Sequence, residues 1–582
     1  MSLGHALKAA LCLLLIVGLG SCGGNLPNSA ISRHLAGRYA GALSAGTAVP
    51  TVIRDRGIHV PDLMSAVPLL EQLRDALAKS DPGGAYAGIT YDLTYGNELR
   101  SDWLVQSPNR WGHKATDFAF YPLSKPLPAC SSDADCHGGT CSATWSGRKA
   151  CFGHSDALVL QVHDLIASAR RRVDITLLQP APDTRFLGAV HDALEALARR
   201  GRPVTVRLIV GQYPPDNVDV PAFYKVLMSD LDSIPNARLT VAIAAFRSCV
   251  VFEDCDSYSW NHAKIVTVDG VDALVGGHNL WSQDYLIDEP VSDLSMRLHG
   301  PAAASAARYA DRLWDYVCTN RDRKASISFA STTGDCPTPA TLPSAMPARG
   351  GTPILAVGRL GAGITKDFAN QSELARDLVL GAARHEIRIV QQDLGFGLGR
   401  ADVLFPDSTI DRLVDFLHQG RGDIYIVLSN PGARGRSGST YSNDVSLQAL
   451  ARHLRQEVQR RFEAREPLSR YEIRRGPDPV NAMLCDHVHL APYRLGPYAS
   501  WPDGAPIANH AKLWMVDGRA FYIGSDNMYP VNLQEFGYIV DDARAAQELT
   551  DAYWTPLWQW SSKAAVSGPG VGKCIFRDVI GP

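Results

Sequence analysis

Two segments of the chain carry the same side chains at the same spacing. Residues 261–279 read NHAKIVTVDGVDALVGGHN, and residues 509–527 read NHAKLWMVDGRAFYIGSDN. Aligned without a gap, both fit H-x-K-x4-D-x6-G-[GS]-x-N. A lone His-x-Lys is commonplace, but the whole pattern occurring twice is not. These residue types suit one chemical group. A phosphodiester carries a negative charge, and more charge builds on its oxygens during displacement. Lys264, Lys512, Asn279 and Asn527 offer donors to that charge from two sides. The two imidazoles divide the remaining work. One neutral ring attacks phosphorus and forms a phosphohistidine. The other, protonated, donates to the leaving oxygen and then takes a proton from the incoming nucleophile. In-line displacement places one histidine on each side of phosphorus, which a domain facing its own copy would provide. This chemistry needs no metal and no cofactor.

The elements that deliver these groups are legible around each copy. On a strand, alternate side chains share a face, so His262 and Lys264 point one way, as do His510 and Lys512. Each strand then reaches Val-Asp-Gly between apolar runs, a hairpin signal that requires positive φ. Asp269 and Asp517 therefore have a structural reason to exist, with direct catalysis as the alternative. The returning strand ends in Gly276-Gly277 or Gly524-Ser525, where small side chains admit close backbone approach. Upstream, helical stretches at about 156–171 and 372–384 precede alternating runs at 173–179 and 385–391. Further helices (186–200; 410–419) and apolar strands (204–210; 424–428) follow. Such alternation predicts an α/β fold of mixed, mostly parallel sheets.

The repeated pattern resembles the HKD motif of the phospholipase D superfamily. The similarity extends to Gly276–Tyr285, Pro290–Asp293, His299-Gly300-Pro301 and Trp314. It continues in Phe521–Tyr538, Gln391-Gln392-Asp393 and the loop Gly435–Tyr441, where the chain looks like the secreted actinobacterial-type phospholipases D. The resemblance covers roughly 155–330 and 355–562. It implies two similar α/β sandwich halves related by a pseudo-two-fold, with one shared active site. It implies that an acidic residue behind each histidine orients the ring, and Asp293 and Glu535 stand at the matching places. Glu535 is one methylene longer than the Asp usual there. It further implies His262 as nucleophile and His510 as general acid/base, an assignment that near-symmetric motifs do not make by themselves.

Composition bounds the partners. Fifty-seven basic residues against 60 acidic give a formal charge of −3, so no global cationic field recruits nucleic acid. With 46% apolar residues a large core is available. Residues 1–21 read as a signal peptide: Lys8 precedes the apolar run Ala9–Leu19, which is short for a membrane span. Leu19-Gly20-Ser21-Cys22 resembles a bacterial lipobox, making Cys22 a lipidation candidate. An outer-membrane lipoprotein and a secreted protein are the two destinations. Residues 22–55 read as a tether and 56–339 as an N-terminal half with a Cys-rich insertion at 126–155. Residues 340–354 read as a linker and 355–582 as a C-terminal half.

Export makes the remaining ten cysteines disulfide candidates. Cys130, Cys136, Cys141 and Cys151 fall in a stretch too polar for its own core, which suggests two local bridges. A zinc site is the rival, weakened by the lack of any C-x-x-C. Short loops favour Cys249–Cys255 and Cys318–Cys336, leaving Cys485–Cys574, one pairing of fifteen.

Three further groups admit two readings each. His487 and His489 share a strand face as a metal site or simply a polar one. Arg434 and Arg436 sit in a loop that is either solvated or a contact for a lipid headgroup or interface. Trp281, Trp501 and Tyr529 line a choline-sized pocket or pack in the core.

The expected activity is hydrolysis of the distal phosphodiester of phospholipids such as phosphatidylcholine at a membrane surface. Water or an alcohol is the acceptor, and the chain acts as a monomer. A secreted nuclease, a cardiolipin-type synthase and a non-catalytic lipid-binding protein are the alternatives.

Overall fold

The computed structural model describes residues 49–213, 216–249, 259–323, 325–338, 341–342, 351–365, 367, 369–397, 403–420, 422–464 and 478–579. The signal segment, Cys22, Cys255, most of the tether and most of the linker lie outside them.

Each copy of the repeat builds the centre of one large sheet. The first runs Ile327–Ser331, Leu239–Cys249, Val204–Gly211, Arg172–Leu178, Ile265–Val268, Asp272–Gly276, Asp293–His299, Leu104–Ser107. The second runs Tyr91–Asn97, Thr352–Arg359, Glu535–Asp541, Ala520–Gly524, Leu513–Val516, Glu386–Gln391, Asp423–Leu428, Val488–Pro492. Read in opposite directions, seven strands of the two sheets correspond. Helices cover the strands, including Ala157–Ala167, Thr184–Arg199, Gln371–Ala382 and Asp407–His418. The expected mixed α/β layers are therefore present.

The expectation of mostly parallel sheets is corrected. Among the described residues only two neighbouring pairs in each sheet are parallel; all the others are antiparallel, including Ser259–Trp260, which pairs with Leu239–Cys249 beside the run given for the first sheet. Parallel pairing follows the helix crossovers. The motif itself is a meander of short connections, and a tight turn can only reverse the chain.

Burial explains why the halves are inseparable. Along the strands of the first motif, side chains alternate between two cores. Val266, Val268 and Leu274 join Leu158, Ile175 and Leu194 in a core built mainly by the first half, with Ala433, Tyr441 and Ala508 of the second at its margin. Ile265, Ala273, Val275, Leu294 and Met296 face the other way, into a core shared with Ile354, Leu513 and Ile523 of the second. The period of two thus assigns one face of the sheet to its own helices and one to its partner sheet. The division at residue 339 does not follow the sheets either. Tyr91–Asn97 pairs antiparallel with Thr352–Arg359 and forms the edge of the second sheet. The last part of the expected tether, Val49–Asp55, is a helix, with Val49 buried in the shared core.

The disulfides form as Cys130–Cys141, Cys136–Cys151, Cys318–Cys336 and Cys485–Cys574. Cys249 is also disulfide-bonded. The Cys-rich insertion is a small hairpin, Thr140–Ala143 against Lys149–Phe152, held by two of these bridges rather than by zinc.

Replacing both Cys485 and Cys574 with alanine opens a loop spanning 89 residues. The expected loss is about 4–5 kcal/mol if loop-closure entropy dominates. The same change at Cys130 and Cys141 is expected to cost about 3 kcal/mol. Denaturant midpoints at constant slope check both.

Candidate functional site

The two motifs meet at one cleft. The rings of His262 and His510 lie with centroids 6.4 Å apart at an interplanar angle of 78°. Both are buried, as are Lys264, Lys512, Asn279 and Asn527.

Neither histidine lies on a regular strand, contrary to the alternation argument. The strands begin only at Ile265 and Leu513. The preceding residues spend their backbone groups on the opposite half. Asn261 bridges to Gln534, and the His262 amide donates to the Gln534 carbonyl at 2.9 Å. In mirror fashion Asn509 bridges to Ser292, and the His510 amide donates to the Ser292 carbonyl at 2.7 Å. The Lys264 ammonium donates to the His262 carbonyl at 2.6 Å, and Lys512 does the same to His510.

Each imidazole is held by a carboxylate of the other half. His510 Nδ1 lies 2.7 Å from Asp293 Oδ2, and His262 Nδ1 lies 3.0 Å from Glu535 Oε1. A carboxylate on Nδ1 fixes the tautomer and leaves Nε2 available for chemistry. The surroundings of the two carboxylates differ. Asp293 accepts from the Tyr285 hydroxyl at 2.8 Å and the Leu294 amide at 2.8 Å. Glu535 accepts from the Ser525 hydroxyl at 2.5 Å and lies 3.6 Å from the Arg359 guanidinium. Gly277 stands where Ser525 stands in the second copy. A Cβ there would lie 1.9 Å from Asp293 Oδ1, so the shorter acid requires the glycine.

Burial governs the charges. It lowers Lys264 well below its ordinary pKa and pushes Lys512 down to about 7. It also lowers both imidazoles, with the nearby lysines adding to the effect. Asn279 keeps a buried amide nitrogen, and Asn527 a buried amide oxygen, with no hydrogen-bond partner in the protein. Paired cations, an unsatisfied donor and two opposed imidazoles suit a tetrahedral oxyanion entering between the rings.

Asp269 and Asp517 stand apart from this chemistry. Both have positive φ, 54° and 51°. Asp269 accepts the amides of Arg170, Arg171 and Arg172 at 2.8–2.9 Å. Asp517 accepts those of Arg384, His385 and Glu386 at 2.7–3.2 Å. Each carboxylate seals the handover from helix to strand.

The loop Gly435–Tyr441 is exposed at Arg436, Ser437, Gly438 and Thr440 and is anchored across the halves at its buried ends, Gly435 and Tyr441. Asp284, buried, accepts from the Ser437 amide at 2.8 Å and the Tyr441 hydroxyl at 2.6 Å. A Cβ on Gly435 would lie 2.3 Å from Asp284 Oδ1. The Tyr441 ring then packs edge-on to His510 at 5.0 Å. Arg436 pairs with Glu289 at 2.9 Å and Asp288 at 3.3 Å. Trp281 and Trp501 are core residues, and the Tyr529 hydroxyl accepts from Asn527 at 2.8 Å.

His487 and His489 do not share a strand face. Asp478 caps the helix Pro479–His487, whose start the Asp-Pro dipeptide favours, so the strand begins only at Val488. Both rings turn to Asp423, at 2.9 and 3.8 Å. Among the described residues, metal-ligating triplets occur only at Cys130, Cys136 and Cys141, which are disulfide-bonded, and at His191, Asp192 and Glu195.

Sequence reading missed Arg359, which carries no motif. It also missed the cross-pairing of acids and rings, for which spacing along the chain holds no signal.

No family model matches the chain. It is 32% identical over 555 residues to a phospholipase D from Streptomyces antibioticus, covering 86% of this chain and 89% of that one. Among solved structures, the phosphatidylserine synthase of Haemophilus influenzae Rd KW20 is 12% identical with a TM-score of 0.44, over 76% of this chain and 88% of that one. NucT of Helicobacter pylori is 17% identical with a TM-score of 0.21, over 28% and 89%.

Two outcomes follow from this geometry. Asp517→Ala is expected to cost about 2–4 kcal/mol, because three amides lose their acceptor, while turnover by the folded fraction stays within a few-fold. Urea unfolding and activity per folded molecule measure the two effects. Lys512 loses its proton above pH about 7. Tungstate affinity by calorimetry should therefore weaken above that pH, and Lys512→Met should lower it roughly tenfold or more and abolish the alkaline fall.

Proposed function

Starting from a chain that belongs to the phospholipase D superfamily and is a phosphodiesterase, we propose that it hydrolyses the distal phosphodiester of phospholipids such as phosphatidylcholine, through a phosphohistidine. The observation that carries this reading is the pair of imidazoles 6.4 Å apart, each braced by the opposite half. That centroid separation brings both rings to one place, so a single phosphorus can be reached by both.

The steps follow from the positions of the groups. Lys264, Lys512, Asn279 and Asn527 hold the non-bridging oxygens. His262 Nε2 attacks phosphorus, and its bond forms as the bond to the headgroup oxygen breaks. His510 gives its proton to that oxygen, and the headgroup alcohol leaves. Water enters on the vacated side, His510 takes its proton, and the new P–O bond displaces neutral His262. Phosphatidate departs. Lipid bound by its anionic phosphate restores to the lysines the charge that burial disfavours. An alcohol replacing water gives the exchanged phospholipid.

Both histidines come from one chain, which supports action as a monomer. The leader-like first 21 residues and the disulfides support an exported protein, with Cys22 as the anchoring residue if it is lipidated. Among the described residues no helix is long and apolar enough to cross a membrane.

Phosphatidylcholine vesicles incubated with the protein and ethanol should yield choline and phosphatidylethanol. His262→Ala and His510→Ala should each reduce turnover by about 10²–10⁴, with thermal unfolding unchanged. Choline release without any phosphatidylethanol would contradict an alcohol-accessible intermediate. DNA cleaved faster than lipid would replace the lipid reading with a nuclease.

A further inference from the structure

The site is symmetric in its motifs and asymmetric behind them. The strand neighbour of Glu535 in the antiparallel ladder is Arg359. The strand neighbour of Asp293 in the matching ladder is Ser107. Thr352–Arg359 and Leu104–Ser107 occupy equivalent places in the two sheets. One orienting carboxylate thus stands beside a fixed cation and the other beside a small hydroxyl residue. The Ser107 hydroxyl is committed to His278 Nε2 at 2.7 Å.

Arg359 is locked in place. It is 3% exposed. Its Nε donates to the Leu533 carbonyl at 3.0 Å, and a terminal nitrogen donates to Asp526 at 2.9 Å. The same guanidinium lies 3.6 Å from Glu535 and 3.8 Å from Glu373. Arg376, 3.3 Å from Glu373 and 3.6 Å from Asp526, completes a buried ionic group beneath the His262 side of the cleft. Among the described residues, the partners bonded to Asp293 are Tyr285, Leu294 and His510, with no arginine.

We propose that Arg359 makes the two histidines unequal: its guanidinium shares the charge of Glu535, so His262 meets substrate as the neutral nucleophile. Asp293, lacking such a cation, holds His510 as the ring that carries the proton. Arg359 is a positioning residue, and it acts on phosphorus only through Glu535 and His262. The inference rests on the phosphohistidine reading and supplies the asymmetry that the motifs lack.

The charged groups around each ring agree with this division. His262 faces Glu535, Lys264, Lys512, Arg359 and the His510 ring. Burial lowers its pKa first, and the two lysines and Arg359 lower it further. His510 faces Asp293, Tyr285, Tyr441, Lys512 and Lys264. Burial and Lys512 lower it, while Asp293 pulls it back upward. Burial pushes Glu535 up to about 6 against the pull of Arg359. Asp293 behaves oppositely: burial raises it, but His510 and His278 bring it below its ordinary value.

The test uses the full chain and a soluble aryl phosphodiester, whose leaving group needs no proton. The acid limb of kcat/KM then reports protonation of the nucleophile. Arg359→Gln removes a buried positive charge that disfavours protonation of His262, and so favours the imidazolium. The acid limb should move up by about one pH unit, a loss of about tenfold on that limb. Arg359→Lys should restore most of it. An unmoved limb in a folded Arg359→Gln protein overturns the inference. If that variant does not fold, histidine-labelled wild-type protein decides by NMR, with signals assigned through His262→Gln and His510→Gln. His510 should take up its proton at higher pH than His262, and the reverse order overturns the inference. Failure of the underlying reading looks different: the wild type would not turn over the ester or form an acid-labile phosphoenzyme.

Discussion

Each motif imidazole is held by an acid from the other half of the chain, and the rest of the site depends on that exchange. Asp293 of the first half orients His510, and Glu535 of the second orients His262. The backbone repeats the exchange, with His262 bonded to Gln534 and His510 to Ser292. A half folded alone would present a histidine without its acid and an acid without its histidine. Docking of the sheets is therefore a condition of chemistry as well as of stability. The alternating side chains of the central strands enforce it by giving one face of each sheet to a common core.

This arrangement brings several charges out of water at one place. Moving an ion into a protein interior costs several kcal/mol even after relaxation. The cost is met locally by pairing: Arg359 with Asp526, Asp293 with His510, Glu535 with His262 and Arg359. The lysines are left with carbonyl acceptors and more distant carboxylates. An anion entering between the rings would supply the countercharge they lack. The cleft is thus least satisfied when empty, which favours binding of the group it acts upon.

Parts of the chain with no motif serve the same end. The Gly435–Tyr441 loop is drawn across the interface by Asp284, which places Tyr441 against His510. The motif aspartates, despite their place beside the motif histidines and lysines in sequence, spend their carboxylates on backbone amides that start each central strand. The Cys-rich hairpin and the Cys485–Cys574 bridge fasten segments outside the paired sheets.

Local and repeated features were legible in the sequence alone. Two copies of one pattern named the six polar residues of the cleft, because chemistry demands particular side chains and duplication marks them. Hydrophobic period gave the helices and strands flanking each motif to within a few residues. Asp-Gly gave the turns, because few residues tolerate positive φ. Tertiary structure decided what depends on neighbours distant along the chain. It turned the motif strands into antiparallel meanders and sent Tyr91–Asn97 to the second sheet. It moved His262 and Lys264 off the strand, gave each ring the opposite half's acid, and set Arg359 behind only one of them. Strand order and cross-sheet pairing arise from which faces bury together, and a single sequence records the apolar face without naming its partner.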